Sequence, residues 1–205
     1  KLDTDNLTIK RVYSESLNTD LNFEYGKKDI ILGTELLVFP NKKINGNYTI
    51  HIDYETSSEA KALQWLKPEQ TNGKTKPFLF TQSQAILARS WIPIQDGPGI
   101  RFCYKAKIKV PKGMMALMSA SNPKELSDDG IYEFEMKQPI PAYLMALAIG
   151  DISFKATGHR TGVYAEPKIL ESAAWEFGET EKMITEAEKL YGPYKWERYD
   201  LLVLP

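Results

Sequence analysis

The sequence predicts a mainly β fold, followed near the carboxyl end by one helix and one more strand. The strand prediction depends on alternating apolar and polar side chains, the pattern of a strand with one buried face. From Ile100 to Val110 every second side chain is apolar, and four of the five side chains between them are basic. Turn-forming pairs such as Asn72-Gly73 and Asp129-Gly130 separate the strand-like segments. The clearest strand of the chain is therefore expected at 100–110.

Other segments repeat the alternation with different strength. It predicts half-exposed strands at 47–56 and 130–137. Weaker strands are predicted within the first 12 residues and in the apolar runs at 34–39, 113–120, 142–150 and 161–166.

The pattern changes after residue 166. Between Pro167 and Tyr191 apolar side chains recur three, four and seven positions apart, as in an amphipathic helix. Gly178 weakens this pattern, because glycine destabilises a helix interior by about 1 kcal/mol relative to alanine. Gly192-Pro193 is expected to end the helix, and 197–205 is expected to form a strand.

Size and charge restrict the class of protein. The 205 residues include 26 Lys+Arg and 27 Asp+Glu, a net charge of -1, which provides no basic surface for nucleic acid and no attraction to an anionic membrane. The longest apolar run, 142–150, is far shorter than the roughly 20 residues that span a bilayer. Cys103 is the only cysteine, so no intramolecular disulfide can form. This fits a cytoplasmic location, although exported bacterial proteins can share the feature.

Both ends suggest a segment of a longer polypeptide. The chain begins at Lys1 without a methionine, within a strand-like pattern, and ends on the apolar run before Pro205. We therefore expect further chain on both sides.

Groups that carry catalysis or bind metal are sparse. His51, His159 and Cys103 are the only histidines and cysteine, and no H-E-x-x-H motif is present. His51 and the pair Glu133 and Glu135 alternate with apolar residues, so solvated strand faces explain them best. No catalytic residue and no metal ligand are therefore predicted in this segment.

The run TQSQA, Thr81 to Ala85, interrupts an apolar segment with two amides. In an extended segment Gln82 and Gln84, two positions apart, project from the same face. Two interpretations stay open: the amides bind a ligand, or they satisfy backbone groups at a sheet edge.

Several stretches together resemble the amino-terminal part of the zinc aminopeptidases, in the branch of leukotriene hydrolase and its bacterial aminopeptidase relatives. Besides TQSQA, the W-x-P-x-x-D element occurs as WIPIQD at Trp91–Asp96. The other matching stretches, in the family's order, are 62–74, 77–104, 110–120, 138–152, 171–183 and 199–205.

The resemblance implies a two-part architecture. Residues 1–152 are expected to form a saddle-shaped, multi-sheet β domain whose first strands precede Lys1. Residues 153–205 are expected to open a thermolysin-like α/β catalytic domain with its first helix and strand. The single zinc ion, its ligands and the catalytic residues of the parent enzyme are expected beyond Pro205.

The resemblance also gives TQSQA a role in binding substrate. Gln84 corresponds to the glutamine that helps hold the free amino terminus of a peptide, Gln82 would line the same pocket, and Ser83 would face away and contribute backbone contacts. Trp91 is expected to pack and Asp96 to hold a turn, and whether Arg89 pairs with Asp96 stays open.

The expected partners are peptide substrates and the rest of the same chain, namely its catalytic and carboxy-terminal helical domains. Nucleic acid and membranes are not expected partners. Two alternatives to an aminopeptidase remain: a non-catalytic β-rich scaffold module, and an aminopeptidase with added epoxide hydrolase activity.

Overall fold

The computed structural model describes residues 1–40, 42 and 46–205. Their strands and helices, in chain order, are β1 Leu2–Thr4, β2 Thr8–Ser14, β3 Thr19–Asp20, β4 Asn22–Tyr25, β5 Thr34–Phe39, β6 Ile50–Glu55, β7 Leu63–Leu66, β8 Phe78–Thr81, β9 Arg101–Lys109, β10 Met115–Met118, β11 Ile131–Pro141, β12 Leu147–Gly150, β13 Ser153–Ala156, β14 Thr161–Ala165, α1 Leu170–Glu176, α2 Thr180–Tyr191 and β15 Tyr199–Leu202. The mainly β prediction is confirmed. None of the helices in these residues is long and apolar enough to cross a membrane.

The strands with regular alternation lie where the sequence predicted them. In β6, which lies within the predicted 47–56, and in β9 half-buried and exposed side chains alternate along the whole strand. The apolar run predicted at 34–39 is β5. β11 begins within the predicted segment and extends four residues beyond it, to Pro141.

The uniformly apolar run 142–150 is only partly a strand. Its first three residues, Ala142–Leu144, form a 3-10 helix, which the bond from Met145 N to Ala142 O (3.0 Å) closes. β12 starts at Leu147. A run without alternation does not distinguish a strand from a helical turn, which is why the prediction placed the start of this strand wrongly.

The single helix predicted for 167–191 is divided into α1 and α2. The break lies at Phe177–Glu179, where Gly178 N donates to Trp175 O (3.3 Å) instead of continuing the α-helical pattern. α1 packs its alanines against β14, as amphipathicity predicts. The apolar side of α2 is instead exposed, with Leu190 at 77% and Tyr191 at 86%.

The chain forms two compact units, each built from separate stretches. Unit 1 contains residues 1–64, 81–102 and 140–145, and unit 2 contains 65–80, 103–139 and 146–205. In unit 1 two antiparallel sheets, with strand orders β1-β5-β4 and β3-β2-β6, enclose a core around Leu7, Val12 and Leu36.

Unit 2 holds most of the sheet β10-β12-β8-β7, most of the pair β11-β9 and all of β13-β14-β15. The β12 strand ends at Gly150, where an added Cβ would lie 2.2 Å from the ring of Phe78, so the close packing here requires glycine. β14 and β15 are parallel, and α1 and α2 lie in the connection between them. This is the βαβ arrangement of α/β proteins.

A buried carboxylate closes a loop of unit 2. Glu166, 1% exposed, accepts from Asn72 N (2.8 Å), Asn72 Nδ2 (2.8 Å) and Gly73 N (3.0 Å). Bonds to an ionised acceptor are stronger than neutral ones, about 1.5–3 kcal/mol each. Glu166 therefore holds the loop that precedes β8.

A second charged cluster in unit 2 attaches α2 to the β13–β14 connection. The Arg160 guanidinium donates to Glu181 (2.9 Å) and to both oxygens of Glu188 (2.7 and 3.0 Å). The pKa of Glu181 is lowered from its ordinary value, first by the Arg160 backbone N–H and then by the side chain. The Arg160 side chain is the main cause that lowers the pKa of Glu188.

We expect the attachment of α2 to weaken in acid. A carboxyl whose folded pKa is below its unfolded pKa stabilises the fold above the unfolded value, here 4.5, and this stability is lost as pH falls through the folded pKa. Hydrogen exchange of α2 amides, corrected for the intrinsic pH dependence, should therefore speed up below about pH 4.5. Arg160→Met should bring faster exchange already at pH 7 and remove the part of this acid dependence that the side chain causes, chiefly that of Glu188. Lys182→Met, which removes an exposed ion pair with Glu179 on the same helix, is the control, and equal effects of the two changes would contradict the prediction.

Candidate functional site

The two glutamines lie in a turn that directly follows β8. Gln82 N donates to Ala62 O (2.9 Å), and Leu87 N donates to Ser83 O (2.8 Å). A 3-10 helix at Ala88–Ser90 follows. We name residues 82–87 the glutamine turn. The segment is thus a turn rather than the extended strand that the sequence suggested.

The side chains of the turn still alternate between solvent and core. Gln82 and Gln84 are exposed, whereas Ser83 between them is 3% exposed. The peptide bond between Gln84 and Ala85 is cis. The two amides and the serine hydroxyl therefore lie on opposite sides of the backbone.

The two glutamines differ in their hydrogen bonds. The amide oxygen of Gln82 accepts from Gln84 N (3.0 Å). This agrees with the interpretation that the amides satisfy backbone groups. The Gln84 amide has no hydrogen-bond partner in the described part of the chain. Gln84 is therefore the glutamine whose donor and acceptor groups are both available to a ligand.

Ser83 is bound inside unit 1. Its Oγ accepts from the indole Nε1 of Trp91 (3.1 Å) and donates to the backbone oxygen of Met145 (3.3 Å). No pattern in the sequence indicated this contact, since Trp91 and Ser83 are eight residues apart in a segment without regular periodicity.

A buried ion pair follows the turn in sequence. Arg89 Nε is 3.2 Å from Asp96 Oδ2, and the same oxygen accepts from Arg89 N (3.1 Å). Arg89 also donates to the backbone oxygens of Asp96 (3.1 Å) and Leu32, and Asp96 N donates to Asp3 Oδ2 (2.9 Å). The pairing that the sequence left open is therefore present, and Asp96 holds the turn that contains it.

The glutamine turn has no charged side chain, and the polar side chains that it exposes are the amides of Gln82 and Gln84. An amide oxygen accepts a hydrogen bond from an ammonium group without the repulsion that a lysine would introduce. The turn can thus bind a cationic group through dipoles, provided that its net charge is compensated elsewhere.

The chain's donor groups do not fit a zinc site. Within residues 1–40, 42 and 46–205, no three His, Cys, Asp or Glu side chains converge. His51 lies 3.5 Å from Glu15 on an exposed surface, His159 is exposed, and the thiol of Cys103 donates to Lys137 O. Zinc needs three or four such ligands, so we assign no metal chemistry to these residues.

The fold and the turn define a mainly β domain that presents amides rather than an acid, a base or a nucleophile. The family model of the peptidase M1 N-terminal domain matches residues 1–144. The chain therefore belongs to this family.

Individual relatives agree with this assignment. The chain is 45% identical to leukotriene A-4 hydrolase from Xenopus laevis over 100% of its own length and 34% of the relative's. It is 47% identical to aminopeptidase B from Rattus norvegicus over 72% of its length and 23% of the relative's. The structure of native yeast LTA4 hydrolase superposes with a TM-score of 0.90 at 38% identity, over 98% of this chain and 31% of that one. The chain thus spans about a third of the length of the two leukotriene hydrolases, and its match covers 23% of aminopeptidase B.

Proposed function

We propose that this chain is the amino-terminal part of a zinc-dependent aminopeptidase and that its glutamine turn binds the free amino terminus of a peptide substrate. The observation that supports this role is the exposed Gln84 amide, which has no partner in the described residues and follows the buried, hydrogen-bonded Ser83. Binding the ammonium group at a fixed place sets how far the first peptide bond lies from the catalytic centre. Zinc and its ligands would come from the remainder of the polypeptide.

Gln82 has a smaller part in this proposal. Its amide oxygen already accepts from Gln84 N, so it supports the turn and offers the substrate mainly its N–H groups. Ser83 contributes backbone groups only, because its side chain is buried.

We also propose that residues 1–152 are a β domain and that 153–205 open a thermolysin-like α/β domain. The family match ends at residue 144, and the parallel pair β14 and β15 with its helical connection is typical of α/β proteins. The partners of the chain are then peptides with a free amino terminus and the rest of its own polypeptide. We place the protein in the cytoplasm, where an exposed, unpaired thiol such as that of Cys103 stays reduced.

The test of the proposed function is Gln84→Ala in the full-length polypeptide. Loss of a hydrogen bond to a charged group weighs about 1.5–3 kcal/mol, so kcat/KM for aminoacyl substrates should fall roughly 10- to 100-fold, with KM raised and zinc content unchanged. Gln95→Ala, a change of another exposed glutamine of unit 1, should leave the kinetics unchanged. Unaltered kinetics for Gln84→Ala would instead assign Gln84 a structural role.

A second candidate function is hydrolysis of a lipid epoxide. One observation favours it: the match to the relative named leukotriene A-4 hydrolase covers the entire chain, whereas the match to aminopeptidase B covers 72%. Turnover of a lipid epoxide by the full-length polypeptide, measured beside peptide hydrolysis, distinguishes the two candidates.

A further inference from the structure

The hydroxyl of Ser83 both donates and accepts a hydrogen bond inside unit 1. A serine hydroxyl has one donor and two acceptor positions. Here the donor binds Met145 O (3.3 Å), and one acceptor position binds the indole N–H of Trp91 (3.1 Å). With 3% exposure, the hydroxyl has almost no access to water that could replace either partner.

Both partners of Ser83 are themselves held in place. Trp91 is 7% exposed, and its backbone N–H donates to Ala88 O (3.1 Å) at the end of the 3-10 helix that follows the glutamine turn. Met145 N donates to Ala142 O (3.0 Å) and ends a second 3-10 helix. The Ser83 side chain, which lies between the two exposed glutamines, thus connects two short helices, and one of its partners, Met145, lies 62 residues away in sequence.

We propose that Ser83 is the positioning residue of the glutamine turn: its buried hydroxyl fixes the backbone so that Gln84 presents its amide in one direction. This inference rests on the proposed function, because it concerns how the same turn binds an amino terminus. The Ser83 side chain has no contact with substrate in this role and acts only through the neighbouring Gln84. A small displacement of a binding group affects turnover strongly, since about 1 Å of misplacement can lower a rate by roughly 100-fold.

The first experiment compares two buried serines in the full-length polypeptide. Ser83→Ala should raise KM and lower kcat/KM roughly 30-fold, the size expected for loss of two neutral hydrogen bonds of about 1 kcal/mol each, while zinc content is unchanged. Ser14→Ala is the matched control, because Ser14 is fully buried in the same unit and its Oγ accepts from Leu17 N (3.1 Å). Both variants should lower the melting temperature, but only Ser83→Ala should change KM. Equal kinetics for the two variants would overturn the inference.

The second experiment asks whether Ser83 acts through Gln84. Residues that act through one another show non-additive effects, so Ser83→Ala combined with Gln84→Ala should be no slower than Gln84→Ala alone. If the two fold-changes multiply instead, Ser83 acts independently and the inference is wrong. Trp91→Phe keeps most of the buried ring but removes the N–H that binds Ser83, so it should show the same dependence on Gln84 even if Ser83→Ala fails to fold.

The outcomes distinguish this inference from the proposed function on which it rests. Normal kinetics for Gln84→Ala would contradict the proposed function. Impaired kinetics for Gln84→Ala with normal kinetics for both Ser83→Ala and Trp91→Phe would contradict only the positioning role.

Discussion

Replacing Arg89 with methionine should destabilise the chain by about 3–5 kcal/mol. The change removes the guanidinium but leaves the Asp96 carboxylate, 4% exposed, without its counter-charge, and breaking a buried ion pair from one side has an effect of this size. Two backbone oxygens, those of Asp96 and Leu32, lose their donor at the same time. The measurement is the shift of the urea midpoint at pH 7.

Two further variants test whether the unpaired Asp96 carboxylate causes the loss of stability. Arg89→Met combined with Asp96→Asn removes the carboxylate charge but keeps a side-chain oxygen that accepts from the backbone N–H of residue 89. The double variant should therefore recover part of the stability that Arg89→Met loses. Lys107→Met, which removes an exposed pair with Glu133, should lower stability by no more than about 1 kcal/mol. If Arg89→Met has only this small effect, the buried pair of Arg89 and Asp96 does not stabilise unit 1.

Replacing Glu166 with glutamine should destabilise the chain by about 3 kcal/mol. The carboxylate accepts three N–H bonds, and an amide of the same shape puts an NH₂ group against at least one of these donors. A lost bond to a charged acceptor and an unsatisfied buried N–H each contribute about 1–3 kcal/mol.

The location of the effect can be measured together with its size. Hydrogen exchange at Asn72 N and Gly73 N should accelerate in Glu166→Gln before that of the central strands does. Glu171→Gln, at an exposed glutamate paired with Lys155, is the matched control and should change stability by less than about 0.5 kcal/mol. Unchanged protection of the two loop amides would contradict the role of Glu166.

The strands that the sequence predicted well could be predicted because their signal is local. In β6 and β9 a half-buried face forces alternation onto consecutive residues, so a short window contains the whole signal. The run 142–150 has no alternation, and the 3-10 helix at its start follows from a bond that composition does not reveal. In the predicted helix, Gly178 marked the break between α1 and α2, but the exposure of α2's apolar side depends on tertiary contacts.

The candidate site shows the same division between local and distant causes. The spacing of Gln82 and Gln84 predicted a shared exposed side, and the turn preserves it although it is not a strand. The partners of Ser83 could not be predicted, because Met145 lies 62 residues away and the Trp91 contact crosses an irregular loop. Glu166 lies at the end of a predicted strand, where the sequence does not distinguish it from an exposed polar residue. Its role could not be predicted, because its hydrogen-bond donors come from a loop 94 residues earlier.

The long reach of Glu166 also has a consequence for biosynthesis. Asn72 is made 94 residues before the carboxylate that binds its N–H groups. At a synthesis rate of about 5–20 residues per second, the interval is roughly 5 to 20 s. Throughout that time the N–H groups of Asn72 and Gly73 that Glu166 will bind can bind only water or transient partners. This loop therefore cannot reach its final hydrogen bonding as it is translated, and it closes only when the ribosome has added Glu166, directly after β14.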